Sequence, residues 1–229
     1  MKKTFIIICS MLLAACSHSG MDAKDIKEKQ QDSKQIEQRN HKSKSHQQSK
    51  HTKVVKDGLT YIDGILIVNK DVALPKAYAP GENKEAREAV ESLMHAGNNE
   101  GLNFVLRSGF RSYETQENLY NNYVARDGQE KADTYSARPG HSEHQTGLAF
   151  DLGNTSAKDD FKVSFESTPE GQWLKEHAHV YGFIIRYPKG KTDITGYQYE
   201  PWHLRYLGKD NAQKVKASGL TLEEYLGLK

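Results

Sequence analysis

The chain has 229 residues with 32 basic and 30 acidic side chains, a formal charge of +2 and a mean hydropathy of −0.78. Two cysteines are too few for a disulfide scaffold, and the length suits one domain with a polar extension. The charge is uneven: residues 17–56 carry ten basic and five acidic side chains, whereas 57–229 carry twenty and twenty-five, so the folded part is acidic, near −5, which argues against nucleic acid as its partner.

Residues 1–15, MKKTFIIICSMLLAA, place two lysines before an apolar run from Phe5 to Leu13 and then small residues, the layout of a secretory signal peptide. The run is too short for a stable membrane span. Leu13-Ala14-Ala15-Cys16 resembles the lipobox of bacterial lipoproteins, which implies that Cys16 is lipidated, becomes the new N-terminus and anchors the protein to the outer side of the cell membrane. Cys9 leaves with the signal, so no thiol remains for a disulfide. Stability must then come from packing, with a bound metal as the only extra staple.

Residues 16–56 are poor in large apolar side chains and rich in Lys, Gln, Ser, His and Asp, a composition that cannot offset chain entropy. A flexible tether is expected, with a reach on the order of 35 Å. Its basic excess suits anionic lipid head groups or wall polymers, with a solvated linker as the alternative. His18, His41, His46 and His51 are irregularly spaced and read as polar filler.

The folded domain is expected over 57–229. GLTYIDGILIVNK (58–70) alternates and turns at Asp63-Gly64, a hairpin pattern. NKEAREAVESLMHAGNNEG (83–101) spaces Ala86, Ala89, Val90, Leu93 and Met94 as a helix that stops at Gly97. LNFVLRSG (102–109) reads as a strand, 112–128 as a helix, GLAFDLG (147–153) as a strand, 170–183 as a helix running into the strand FIIRYP, YEPWHLRYLG (199–208) as a last strand, and TLEEYLGL as a closing segment. Without a βαβ rhythm, the mixture predicts α+β with an antiparallel sheet.

HSEHQTGLAFD (141–151) gathers two histidines, a glutamate and an aspartate around a glycine. On a strand, Asp151 shares a face with Ala149 and Gly147 and so emerges into open space. A turn at Gln145-Thr146-Gly147 lets His144 fold back toward Asp151. A third ligand is needed, and EPWHLRY supplies His203 and Glu200, which Pro201 can bring to one centre by kinking the strand. Two histidines and one carboxylate with a position left for water is the form of a catalytic zinc site. Glu200 is then left as a carboxylate able to take a proton from water. Glu143 is expected to be a bystander and His141 to be exposed. His177 and His179, two apart on a predicted helix, diverge too far to share a metal.

SGFRSYETQ (108–116), SEHQTGLAFD (142–151) and ITGYQYEPWHLRY (194–206) together resemble the zinc D,D- and L,D-carboxypeptidases of the VanY and LdcB type, which trim peptidoglycan stem peptides. The resemblance runs from about Leu66 to the C-terminus. It implies an antiparallel sheet holding the metal with helices packed against it, the fold shared with the hedgehog signalling domain. It further implies His144, Asp151 and His203 as Zn2+ ligands, Glu200 as general base, and Arg111 as the group stabilising developing negative charge. Gln116 and Ser142 fall on substrate-contacting positions, and Tyr187 and Trp202 are expected to line the pocket. The implied activity is release of a terminal D-alanine by a monomer, from tetrapeptide stems (L,D) in preference to pentapeptides (D,D). The rivals are a non-catalytic wall-binding module on the same fold, against which the presence of Glu200 and Arg111 speaks, and a stem-peptide endopeptidase. Replacing Cys16 with serine is expected to move the protein from the membrane fraction to the soluble one; retention of the variant on washed membranes overturns the lipid-anchor reading.

Overall fold

The computed structural model describes residues 51–229; the signal segment, Cys16 and most of the tether lie outside the described residues. Three short strands, β1 (Lys53–Lys56), β2 (Leu59–Ile62) and β3 (Ile65–Ile67), form an antiparallel sheet in chain order. Both connections are two-residue Asp-Gly turns with positive φ at each residue, the geometry that matches the twist of a hairpin. β1 lies ahead of the expected boundary at residue 57. Its KVVK sequence is exposed throughout and reads like the polar tether, and only its pairing with β2 makes it part of the fold.

A second antiparallel sheet holds β4 (Phe104–Ser108), β5 (Ala149–Asn154), β6 (Phe183–Ile185) and β7 (His203–Tyr206) in the order β4-β5-β7-β6. Helix α1 (Lys84–Asn99) begins at Asn83, whose side chain accepts the Ala86 amide, and buries the stripe Ala86, Val90 and Leu93. That stripe packs with Phe104, Phe150, Leu152, Phe183 and Leu204 from the sheet and with Phe165, Trp173 and Leu174 beyond it. Alternation along β5 and β7 therefore commits Phe150, Leu152 and Leu204 to this core. Asp151, His203 and Arg205 point to the opposite face.

Helices α2 (Tyr113–Asp127) and α3 (Gln129–Tyr135) follow β4, and α4 (Pro169–His177) lies between β5 and β6. A single turn, α5 (Thr192–Thr195), precedes β7, and α6 (Lys209–Ser218) and α7 (Leu222–Tyr225) close the fold. α6 and α7 cover a smaller core in which Ile62, Ile65 and Ile67 meet Ile184, Ala212, Val215, Leu222 and Leu226. The expected α+β class with an antiparallel sheet is observed.

Three elements differ from expectation. α6 buries only Ala212 and Val215, a stripe too thin to register as amphipathic periodicity. The last strand is four residues rather than ten, because Glu200 to His203 form a turn in which the His203 amide donates to the Glu200 carbonyl at 3.2 Å. The helix expected over 170–183 stops at His177, and a 3-10 turn (Ala178–Tyr181) ends on Gly182 at φ +90°.

Gly147 is the one glycine on which the site geometry rests. It ends a 3-10 turn (Glu143–Thr146) at φ +72°, and a Cβ there would lie 2.1 Å from the Gly81 carbonyl oxygen and 2.9 Å from the Asn83 amide nitrogen. Its own carbonyl accepts the Asn83 amide at 3.0 Å, so the turn is locked to the start of α1. Gly147→Ala is expected to destabilise the domain by more than about 1 kcal/mol, since alanine adds both a clash and an unfavourable φ; an unchanged denaturant midpoint would show that this turn tolerates rearrangement.

Candidate metal centre

β5 and β7 are neighbours, and their register places Asp151 directly opposite His203. His144 reaches the same point from the 3-10 turn that leads into β5. One ligand atom from each of these three residues lies within 4.8 Å of the others, and all three side chains are buried. His144 Nε2 is 3.1 Å from Asp151 Oδ2, and His203 Nδ1 is 3.0 Å from Asp151 Oδ1.

The outward nitrogens decide what the inward ones can be. His144 Nδ1 lies 2.8 Å from the Gly109 carbonyl, which can only accept, so the proton of a neutral ring sits there and the Nε2 lone pair faces Asp151. His203 has a carboxylate at each nitrogen, Asp151 Oδ1 3.0 Å from Nδ1 and Glu143 Oε2 3.5 Å from Nε2, so a proton held toward Glu143 leaves the Nδ1 lone pair free to face Asp151. With Nδ1 of His203 unprotonated, two imidazole lone pairs and a carboxylate face one another, an arrangement that suits a cation between them. The donor set, two nitrogens and one carboxylate oxygen, fits a divalent transition metal with room for a further ligand.

Burial lowers His203, but hydrogen bonds it donates to the Asp151 and Glu143 carboxylates outweigh this and bring its pKa up to about 9. Burial holds His144 below its ordinary value against the opposing pull of Asp151. Asp151 stays ionised: burial would raise it, and the two histidines pull it well below the usual carboxylate range.

Glu200 sits at the turn before β7, with its Oε2 3.9 Å from His203 Nδ1. Its amide donates to the Tyr187 carbonyl at 3.1 Å, which fixes the turn. Burial raises its pKa to about 8, so it is a carboxyl group poised near neutrality beside the three ligands. Arg111 enters from the loop after β4; its amide donates to the His144 carbonyl at 3.2 Å, and its guanidinium donates to Gln116 Oε1 at 2.8 Å and Ser108 Oγ at 2.9 Å. The Gln116 amide nitrogen donates in turn to the Ala137 carbonyl at 2.6 Å. Gln116 is buried, with both polar ends occupied, and holds Arg111 in place. Ser142 lines the same cleft, the Tyr187 ring stacks on His203 at 5.0 Å, and Trp202 both lines the cleft and packs into the main core. The cleft holds about 730 Å3, within the ordinary range of a small-ligand site.

Two expectations need correction. His141 is only partly exposed, because its ring nitrogen bonds the Asn69 carbonyl at 2.8 Å. Glu143 is no bystander. It is fully buried, receives Arg186 Nε at 2.7 Å and Arg205 Nη1 at 2.8 Å on one oxygen, and faces His203 with the other. The two arginines hold its pKa far below the ordinary range against the effect of burial. Arg186 is completed by Glu223, with contacts of 2.8 and 2.5 Å. The sequence signal for this network was the isolated arginine in each of FIIRYP and HLRY, since a charge inside an apolar strand requires a buried partner. His177 and His179 lie far from this cluster in the chain and do not join the three ligands among the described residues.

The VanY family, described as D-alanyl-D-alanine carboxypeptidase, matches residues 81–209. YodJ of Bacillus subtilis (strain 168) is 42% identical over 192 residues, which cover 74% of this chain and 70% of that protein. The structure of the LdcB LD-carboxypeptidase superposes with a TM-score of 0.70 at 48% identity, covering 78% of this chain and 96% of that one. A vancomycin-resistance D,D-pentapeptidase VanY variant in complex with Zn(II) superposes with a TM-score of 0.60 at 34% identity, covering 70% and 97%.

Glu200→Ala is expected to retain bound metal, since its carboxylate is not one of the three converging ligands, whereas His203→Ala should lose it and some stability as well. Metal content after dialysis checks this; equal loss in both variants would make Glu200 a ligand.

Proposed function

The chain belongs to the VanY D-alanyl-D-alanine carboxypeptidase family, and on that premise we propose that it is a zinc carboxypeptidase that removes the terminal D-alanine of peptidoglycan stem peptides, with tetrapeptides ending in L-Lys-D-Ala preferred. The observation that carries the reading is the buried convergence of His144, Asp151 and His203 with the Glu200 carboxyl beside them. The higher identity to the LD-carboxypeptidase than to the D,D-pentapeptidase supports the L,D preference.

In this reading His144, Asp151 and His203 hold Zn2+, which when bound supplies the Lewis acidity that makes attack of water on an amide feasible at neutral pH. Glu200 takes the proton from the attacking water and passes it to the departing amine of D-alanine. Its raised pKa keeps it protonated in the metal-free protein, and a cation at the neighbouring ligands favours the ionised form that a base requires. Arg111 places a fixed positive charge at the cleft wall, where it stabilises the negative charge that develops on the scissile carbonyl oxygen or holds the terminal carboxylate. Gln116 and Ser108 keep its guanidinium from swinging away. Tyr187 fixes the plane of the His203 ring, and Ser142 offers a hydroxyl to the bound peptide. Substrate and enzyme would meet outside the cytoplasm, with Cys16 as lipid anchor. A carboxyl group poised near neutrality and a half-buried arginine in one cleft have no purpose in a pure wall-binding module, which is why the catalytic reading is preferred.

Purified protein incubated with defined tri-, tetra- and pentapeptide stems is expected to release D-alanine from the tetrapeptide fastest and to leave the tripeptide intact, read by mass analysis. Faster release from the pentapeptide reverses the preference, and no release from either sinks the enzymatic reading.

A further inference from the structure

The loop after β5, residues 155–162, holds two residues in the left-handed region without being glycine, Ala157 and Phe161, each at φ +55°. The other two such residues among those described, Asp57 and Asp63, sit in tight hairpin turns where an aspartate side chain tolerates this conformation. A phenylalanine has no such relief, and a bulky residue in this region is an outlier that the surroundings must impose.

The surroundings do impose it. Arg107 of β4 pairs with Asp160 Oδ2 at 2.5 Å and also donates to the Asn154 carbonyl. Asp160 occupies the space above Gly153, where a Cβ would lie 2.1 Å from its Oδ1. Ser164 Oγ donates to Asp159 at 2.7 Å, and Asn154 caps the loop entrance through Ser156. The loop is thus pinned at Asp159 and Asp160 on one side of Phe161 and released into a 3-10 turn (Val163–Ser167) on the other.

What this restraint achieves is the placement of an aromatic ring where burial would not put it. Phe161 is 51% exposed, among the most exposed large apolar side chains described, yet it lines the same cleft as Glu200 and Arg111. One edge of the ring rests on Trp202, at 6.3 Å between centroids and 78° between planes, and the remainder faces the opening. An exposed apolar ring held in an unfavourable backbone conformation at the mouth of a binding cleft marks a ligand contact.

We propose that Phe161 is a substrate-contacting residue, an apolar lip that covers the aliphatic part of the peptide seated in the cleft. The inference rests on the peptidase reading above and adds a specificity determinant to it. It predicts that the ring contributes to holding the peptide rather than to the chemical step, so its loss should appear in KM rather than kcat.

The test uses metal-loaded protein and whichever of the tetra- and pentapeptide stems the unmodified enzyme cleaves faster. Phe161→Asn keeps a residue that accepts the left-handed conformation while removing the ring; it is expected to raise KM about tenfold, with kcat within about twofold, unchanged metal content and an unchanged or higher Tm. Phe161→Tyr keeps the ring and should restore the original KM. A KM unchanged in Phe161→Asn overturns the inference while leaving the peptidase reading intact. So does a fall in Tm or metal content shared by both variants, because that is what a purely structural role would give. Absence of turnover in the unmodified protein overturns both readings together.

Discussion

Two arginines buried beneath the His144, Asp151 and His203 cluster have to be neutralised, and the arrangement of this domain follows from how that is done. Arg186 lies just past the end of β6 and Arg205 within the neighbouring β7, both side chains almost inaccessible. Glu143 answers both, Glu223 answers Arg186 a second time, and the Leu66 carbonyl completes Arg205 at 2.6 Å. Removing one member of such a group leaves a buried charge unpaired, at about 3–5 kcal/mol. The network therefore ties the three-stranded sheet, the 3-10 turn, the main sheet and α7 to one point. Its position beside His203 makes it part of the site as well as of the frame.

That adjacency explains how the site keeps its shape. Glu143 and His144 are consecutive, so the same turn delivers a carboxylate to the arginines and an imidazole to the metal position. Glu143 also orients His203 from behind, as the Gly109 carbonyl orients His144. Side chains already held in place lose little freedom when a cation binds. The cleft wall is built differently. Arg111 is steadied by two neutral hydrogen bonds and lies on a loop, which suits a group that must meet a substrate from outside the sheet.

Much of this was legible in the sequence, for reasons that differ residue by residue. The α1 stripe, the Asp63-Gly64 turn and the alternation of LAFD are local patterns with one physical reading each. The turn at Pro201 could be anticipated because proline forbids regular ladder bonding, and the structure places Glu200 and His203 on one side of it. α6 was invisible because it covers its core with two small side chains. Glu143 was misjudged because its partners lie 43 and 62 residues away, and no local pattern announces a long-range ion pair. The strain at Phe161 was equally silent, since φ is a property of the pinned loop and not of the residue type.

The Arg205 link to Leu66 spans 139 residues, and the Glu143 links close loops of tens of residues more. No helix or hairpin that forms early can satisfy either arginine by itself. Loop-closure entropy has to be met before these contacts repay it. Until β7 docks between β5 and β6, both guanidinium groups are stable only in water. Metal capture would then come at the end of folding, since the same docking step that buries Arg205 brings His203 opposite Asp151.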